Sequence, residues 1–186
     1  LDLFFPAPPT ASKAPPAAVL HPAGEAALSS QPSIARAPGS VPQPDQLPRI
    51  RAELAAEIAS GAVTVDPFGG YIAIRVAASG SFEPGAAALL PGFTATGRRI
   101  AAVVERQPGA VHVVGHSDDR APPKGGRYKD NQALSSARAS AFAELLRDGL
   151  SDGSRLSAEG RGGREPIAAN ATADGRARNQ RVEVLL

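Results

Sequence analysis

Three polar segments carry the residues best suited to chemistry. They are His116-Ser117-Asp118-Asp119, Asn131-Gln132-Ala133-Leu134-Ser135-Ser136-Ala137-Arg138-Ala139 and Gly175-Arg176-Ala177-Arg178-Asn179-Gln180-Arg181-Val182-Glu183. The first follows Val111–Gly115, an apolar run that reads as a buried strand. Strand ends in α/β sheets are where ligands gather. The second opens a helix. With Ser135 as its N-cap, Arg138 falls in the first turn, where the helix dipole disfavours a cation. An arginine kept there suits an anionic ligand, because a carboxylate at that helix start gains free N–H groups and a guanidinium fork. The alternative is a plain salt bridge from Arg138 to Asp118 or Asp130.

Other chemistries fit less well. His112 and His116 have the spacing of a helical metal pair but lie on a strand, where four residues separate them by roughly 13 Å. That is too far for one metal, so no metal site is expected, and His116 reads as an organiser of the adjoining loop. Ser117 has His and Asp neighbours but no strained nucleophile turn of the G-x-S-x-G kind. Gly160-Arg161-Gly162-Gly163-Arg164 lacks the spacing of a nucleotide loop, so no cofactor is expected. The chain reads as a binding protein, not an enzyme. Arg176, Arg178 and Arg181 are offset by Asp174 and Glu183, and aromatic residues are 4% of the chain, which argues against nucleic acid.

The elements that must position these segments are set by periodicity. Leu47, Ile50, Leu54 and Ile58 recur at helical spacing up to Gly61. Val63–Val65 and Tyr71–Val76 read as strands around the turn Asp66-Pro67-Phe68-Gly69-Gly70. From about Ala86 to Gln107 the pattern is mainly helical, interrupted near Pro91-Gly92. A helix is expected from about Ser136 to Gly149, with strands at Arg155–Gly160 and Arg181–Leu186 and a loop over Gly162–Thr172. This order predicts an α/β fold with helices stacked on one mixed sheet.

Composition sets the outer bounds. Eleven of the 18 prolines lie in residues 1–48, among Ala, Ser, Gly and Gln. A segment of that kind cannot bury enough apolar surface to order itself, so residues 1–46 are expected to be a disordered linker. As a spacer it would join an anchor to the domain beyond it. The 186 residues include no Met, so the chain is expected to be a processed or partial product. With no Cys there are no disulfides or thiolate sites. The net charge of +2 is too small for a broad electrostatic partner, and no apolar run approaches the ~20 residues of a membrane span.

The same motifs carry a family resemblance. Gly115-His116-Ser117-Asp118, then Asn131-x-x-Leu134-Ser135-x-x-Arg138-Ala139, then Gly160-x-Gly162 with Pro166, Asn170 and Thr172, and finally Gly175-Arg176-Ala177-x-Asn179-x-Arg181-Val182-Glu183 resemble the OmpA-like peptidoglycan-binding domain over about residues 68–186. Phe82-x-x-Gly85-x-Ala87 is similar to the family's entry segment. Residues 47–67 form an extension of helix and strand. With the long loop containing Pro122-Pro123, that extension looks most like the periplasmic end of extended TssL/DotU-type proteins of type VI secretion.

The resemblance implies a β-α-β-α-β periplasmic domain that grips the peptide stem of peptidoglycan noncovalently at meso-diaminopimelate. Asp118 would accept the ligand ammonium and Arg138 would hold its carboxylate. Asn131 would bond the ligand or shape the loop, Ser117 would keep the hydroxyl of a usual Thr, Leu134 would form an apolar wall, and Arg181 would line the cleft. Gln180 departs from a frequent Arg. The implied role is to anchor an envelope complex, with an inner-membrane segment outside this chain and other type VI secretion membrane-complex proteins as partners. The alternatives are an assembly domain with little wall binding, or the OmpA-like domain of an outer-membrane or motor-type protein.

Overall fold

The computed structural model describes residues 42–186. The expected linker therefore lies, up to residue 41, outside the described residues. The described chain is built on a five-stranded mixed sheet in the order β1-β2-β5-β3-β4. Its strands are β1 (Val63–Phe68), β2 (Tyr71–Ala77), β3 (Val111–His116), β4 (Leu156–Gly162) and β5 (Arg181–Leu185). The β3–β4 pair is parallel and the other pairs are antiparallel. The predicted mixed-sheet α/β class is the one observed.

The helices are α1 (Gln46–Glu53), α2 (Ala55–Ala59), α3 (Ala78–Ser81), α4 (Thr94–Glu105), α5 (Asn131–Arg147) and α6 (Ala173–Asn179). The main core lies between sheet and helices. Ile72, Ile74 and Val76 share one strand face, as alternation predicts, and meet Ile50, Ile100, Val104, Phe142 and Leu146. Phe93 and Phe142 pack at 5.7 Å between ring centroids. Each such fully buried side chain contributes about 1.5–3 kcal/mol.

Several boundaries differ from the periodicity reading, each for a local reason. The first helix breaks at Leu54 (φ −102°, ψ 18°), so it becomes α1 and α2. The hairpin turn shrinks to Gly69-Gly70, both at positive φ (55° and 85°), the conformation a two-residue turn demands. Pro67 is tolerated in β1 because that strand is the sheet edge. Residues 86–90 are not helical; Leu90 is extended (ψ 135°) because Pro91 comes next, and α4 begins only at Thr94.

Helix α5 starts earlier than its periodicity predicts. Its N-cap is Asp130, whose Oδ1 accepts the Ala133 N–H at 2.7 Å, so the helix starts before the expected Ser136. Ser135 is not a cap; its Oγ accepts the Gly162 N–H at 2.9 Å. Arg138 thus sits two turns inside the helix, and the first-turn dipole argument does not apply to it. The seven-residue α6 was not legible as a helix, because it has no apolar stripe. Thr172 caps it, with Oγ1 accepting the Gly175 N–H at 3.0 Å.

Helix α5 rides very close to the sheet. A Cβ at Gly115 would lie 2.1 Å from the Ser135 carbonyl oxygen, and one at Gly160 only 2.4 Å from the Ser136 nitrogen. Gln132 Nε2 also donates to the Gly160 carbonyl at 2.7 Å. These contacts fix the helix carrying Arg138 against the strand that ends before Asp118.

Candidate functional site

Beyond the end of β3 the chain turns sharply. Ser117 N–H donates to the Gly162 carbonyl at 2.9 Å, which ties the loop to the end of β4. The Asp118 carboxylate is held at both oxygens. Oδ1 accepts the Arg120 N–H at 3.0 Å and Oδ2 accepts Gln180 Nε2 at 2.8 Å. Both donors are neutral, so the negative charge is oriented without being cancelled. Asp118 is 4% exposed.

Arg138 faces the same space from α5 and is 3% exposed. Its Nε donates to the Ala86 carbonyl at 2.8 Å, and its guanidinium carbon lies 5.4 Å over the Phe82 ring. Burial pushes its pKa below the ordinary arginine value, while Tyr128 and Asp118 act to raise it. Arginine's ordinary value is high enough that the group stays a cation at neutral pH. Neither anticipated salt bridge forms among the described residues. Asp130 is occupied as the α5 cap.

Together these residues border a cleft of about 330 Å³. Five of the six expected site residues line it: Ser117, Asp118, Asn131, Leu134 and Arg138. Asn131 shapes the loop, its Nδ2 donating to the carbonyls of Asp118 (3.0 Å) and Arg120 (2.8 Å). Leu134 is the buried apolar wall. Arg181, expected to line this cleft, does not. Its Nε donates to Glu183 Oε1 at 2.8 Å and its Nη1 to the Asn179 carbonyl at 3.2 Å, within a buried ionic cluster.

That cluster lies on the strand face opposite Val182 and Val184. Glu183 also takes Arg75 Nε at 2.8 Å. Burial by itself would raise the Glu183 pKa, but His116 and Arg181 outweigh it and hold the carboxyl well below the usual carboxylate range. His116 is 1% exposed, with Nε2 3.6 Å from Glu183 and Nδ1 4.0 Å from Glu165. Neither ring nitrogen has a hydrogen bond among the described residues. Burial pushes its pKa below 6.5 despite both carboxylates, so the ring is neutral at neutral pH. Among the described residues no group of His, Asp and Glu side chains gathers to hold a metal.

Three cleft contributors were not anticipated from the sequence. Gln180 orients Asp118, Arg176 enters from α6, and Phe82 supports Arg138. Local periodicity offered no signal for Arg176 and Gln180, because α6 has no apolar stripe and Gln180 is its C-cap.

In chemical terms the cleft offers one anchored carboxylate, one buried guanidinium and an apolar wall. That set matches a ligand with an ammonium and a carboxylate close together. No helix among the described residues is long and apolar enough to cross a membrane.

Comparison with known proteins places this architecture. The chain is 33% identical to the probable lipoprotein YiaD of Escherichia coli K12 over 136 residues, 73% of this chain and 60% of that protein. It is 39% identical to motility protein B of Bacillus subtilis over 85 residues, 45% of this chain and 32% of that one. The chain thus spans less than two thirds of these relatives' own length. Among solved structures, the cell wall anchor of the T6SS from Pseudomonas aeruginosa superposes with a TM-score of 0.69 at 38% identity, covering 75% of this chain and 97% of that one. A MotB-like protein from Desulfovibrio vulgaris gives 0.70 at 27% identity, over 76% and 88%. The OmpA family matches residues 81–180, which contain Ser117, Asp118, Asn131, Leu134, Arg138, Arg176 and Gln180 of the cleft, and the chain belongs to that family.

Proposed function

We propose that this domain binds the peptide stem of peptidoglycan noncovalently, at the zwitterionic end of meso-diaminopimelate. The observation that carries this reading is the pairing of Asp118 and Arg138. Two buried, opposite charges line one cleft, yet neither neutralises the other. Asp118 accepts the ligand ammonium and Arg138 takes the carboxylate in its remaining N–H groups. Leu134 packs on the aliphatic arm, while Asn131 and Ser117 hold the loop that carries Asp118. The reading has no role for catalysis, because the cleft needs only complementary charge.

Each cleft offers few contacts, so single-site affinity is weak. Retention on the wall comes from many stems on one polymer and many tethered domains. Likeness to a T6SS cell wall anchor supports a periplasmic role in holding a type VI secretion membrane complex to the wall. An inner-membrane anchor outside this chain belongs to the same proposal.

The test is sedimentation with purified sacculi. Wild type is expected in the pellet, and Asp118→Ala and Arg138→Ala in the supernatant with unchanged circular dichroism. Removing one member leaves the other charge unmatched, at about 2–5 kcal/mol when desolvated. Equal retention of all three folded proteins would overturn the assignment.

A further inference from the structure

The cleft carries more positive charge than a single zwitterion can use. Among the described residues Arg120, Arg138 and Arg176 line it, against the single acid Asp118. None of the three forms an ion pair among the described residues, although Arg75, Arg161 and Arg181 elsewhere all do. A zwitterion bridging Asp118 and Arg138 has no net charge and leaves that surplus unmatched. Clefts lined by one sign of charge focus their field on an oppositely charged ligand.

Arg176 is half-buried, and Nη1 donates to the Asn170 carbonyl at 2.7 Å, which fixes the guanidinium while leaving other N–H groups free. Ala173 and Ala177 beside it are small and keep that wall open. Gln180, which grips Asp118, lies one helical turn beyond Arg176, and its N–H donates to the Arg176 carbonyl at 3.0 Å. Four residues of helix rise about 6 Å along the axis. In diaminopimelate the two stereocentres are joined by three methylenes, about 5 Å apart by standard bond lengths. The two lengths are comparable, so an ammonium held at Asp118 would leave the far, main-chain carboxylate of the same residue within reach of Arg176 across the cleft they share.

We propose that Arg176 forms a second carboxylate arm of this cleft, which selects stems ending in diaminopimelate with a free main-chain carboxylate. The inference rests on the wall-binding reading above. Stems continuing past diaminopimelate hold that carboxylate in a peptide bond and lose the contact. The ligand is therefore supplied by hydrolysis of that bond, with water adding across it to leave a free carboxylate and a free amino acid or dipeptide.

The experiment is calorimetric titration with two synthetic tripeptides. One is L-alanyl-γ-D-glutamyl-meso-diaminopimelate, and the other is the same peptide with its main-chain carboxylate as the amide. Wild type is expected to prefer the free acid by roughly tenfold, the range of a half-exposed charge-assisted fork. Arg176→Gln is expected to bind both peptides equally, at the affinity wild type has for the amide. Arg176→Lys recovers part of the preference. Should Arg176→Gln fail to fold, the two peptides on wild type still decide. Equal affinity of both peptides for wild type, still abolished by Asp118→Ala, would overturn the second arm alone. A preference retained in folded Arg176→Gln would overturn it too. Binding of neither peptide would remove the wall-binding reading together with it.

Discussion

Replacing Gly115 with Ala tests whether contact between β3 and α5 builds the cleft. The new Cβ would lie 2.1 Å from the Ser135 carbonyl oxygen and 2.9 Å from its carbon. Both are backbone atoms, so no rotamer change relieves the clash. Helix α5 must withdraw by about 0.9 Å merely to open the closest contact to 3.0 Å. Overpacking of this kind costs about 1–3 kcal/mol. The same withdrawal strains the buried Ser135 Oγ bond to Gly162 N–H, now 2.9 Å, and losing it adds about 1–3 kcal/mol. Against this, Gly→Ala stiffens the unfolded chain by only about 0.4–1 kcal/mol. The clash wins, leaving about 1–5 kcal/mol of destabilisation, whose middle value lowers the melting point by roughly 10 °C for a domain of this size. Thermal unfolding followed by circular dichroism measures it, with Gly92→Ala as control, since nothing lies within 4 Å of a Cβ there. Sacculus retention, measured cold where the variant is folded, is expected to fall as well. Arg138 rides on α5 while Asp118 hangs from β3, so their spacing changes. A Gly115→Ala protein melting within about 2 °C of wild type would refute the packing argument.

Other perturbations act on separate parts of the molecule. Gln180→Ala removes the donor at Asp118 Oδ2 and is expected to weaken tripeptide binding several-fold, by about 0.5–1.5 kcal/mol, with melting little changed; titration checks it. Glu183→Gln leaves Arg181 and Arg75 without their shared carboxylate and is expected to cost about 3 kcal/mol in urea unfolding. Acid should destabilise the fold in two stages. His116 is held below 6.5, so its contribution is complete above that pH and is lost as pH falls below it; Glu183 is held below 4.5, and its contribution is lost in turn at lower pH. His116→Gln should flatten the first stage in urea midpoints between pH 7 and 5, and an unchanged slope would count against it. Charge reversal at exposed Lys124 and Arg127 is expected to leave sacculus retention intact, and a loss would assign wall contact to the outer face of the loop.

The patterns legible along the chain were those that local periodicity controls. Val111–Gly115 had to be a buried strand, so Asp118 had to come just after a strand end. The alternation of Ile72, Ile74 and Val76 placed one face of β2 in the core. The family motif also grouped Asn131, Leu134 and Arg138, although the expected helix began only at Ser136, after the first two. Local reasoning failed where two signals of equal type competed. Asp130 and Ser135 are both good caps, and only the position of Gly162 shows that Ser135 is bonded elsewhere. Arg138 lies in the cleft at a mid-helix position, where the helix dipole has no say over its charge.

The charge types needed for a zwitterionic ligand were set by the sequence alone, along with the segments that carry them. Tertiary structure decided which charges remain available. Arg138 rests on Phe82 and Ala86 and forms no ion pair among the described residues, whereas Arg181 is consumed by Glu183. Asp118 is gripped by Gln180, 62 residues away, because β5 inserts between β2 and β3 and α6 is carried up to the cleft just before it. Strand order of that kind depends on which faces can be buried together over the whole domain. No local window contains it, so partner choice among the arginines was settled only when the sheet closed.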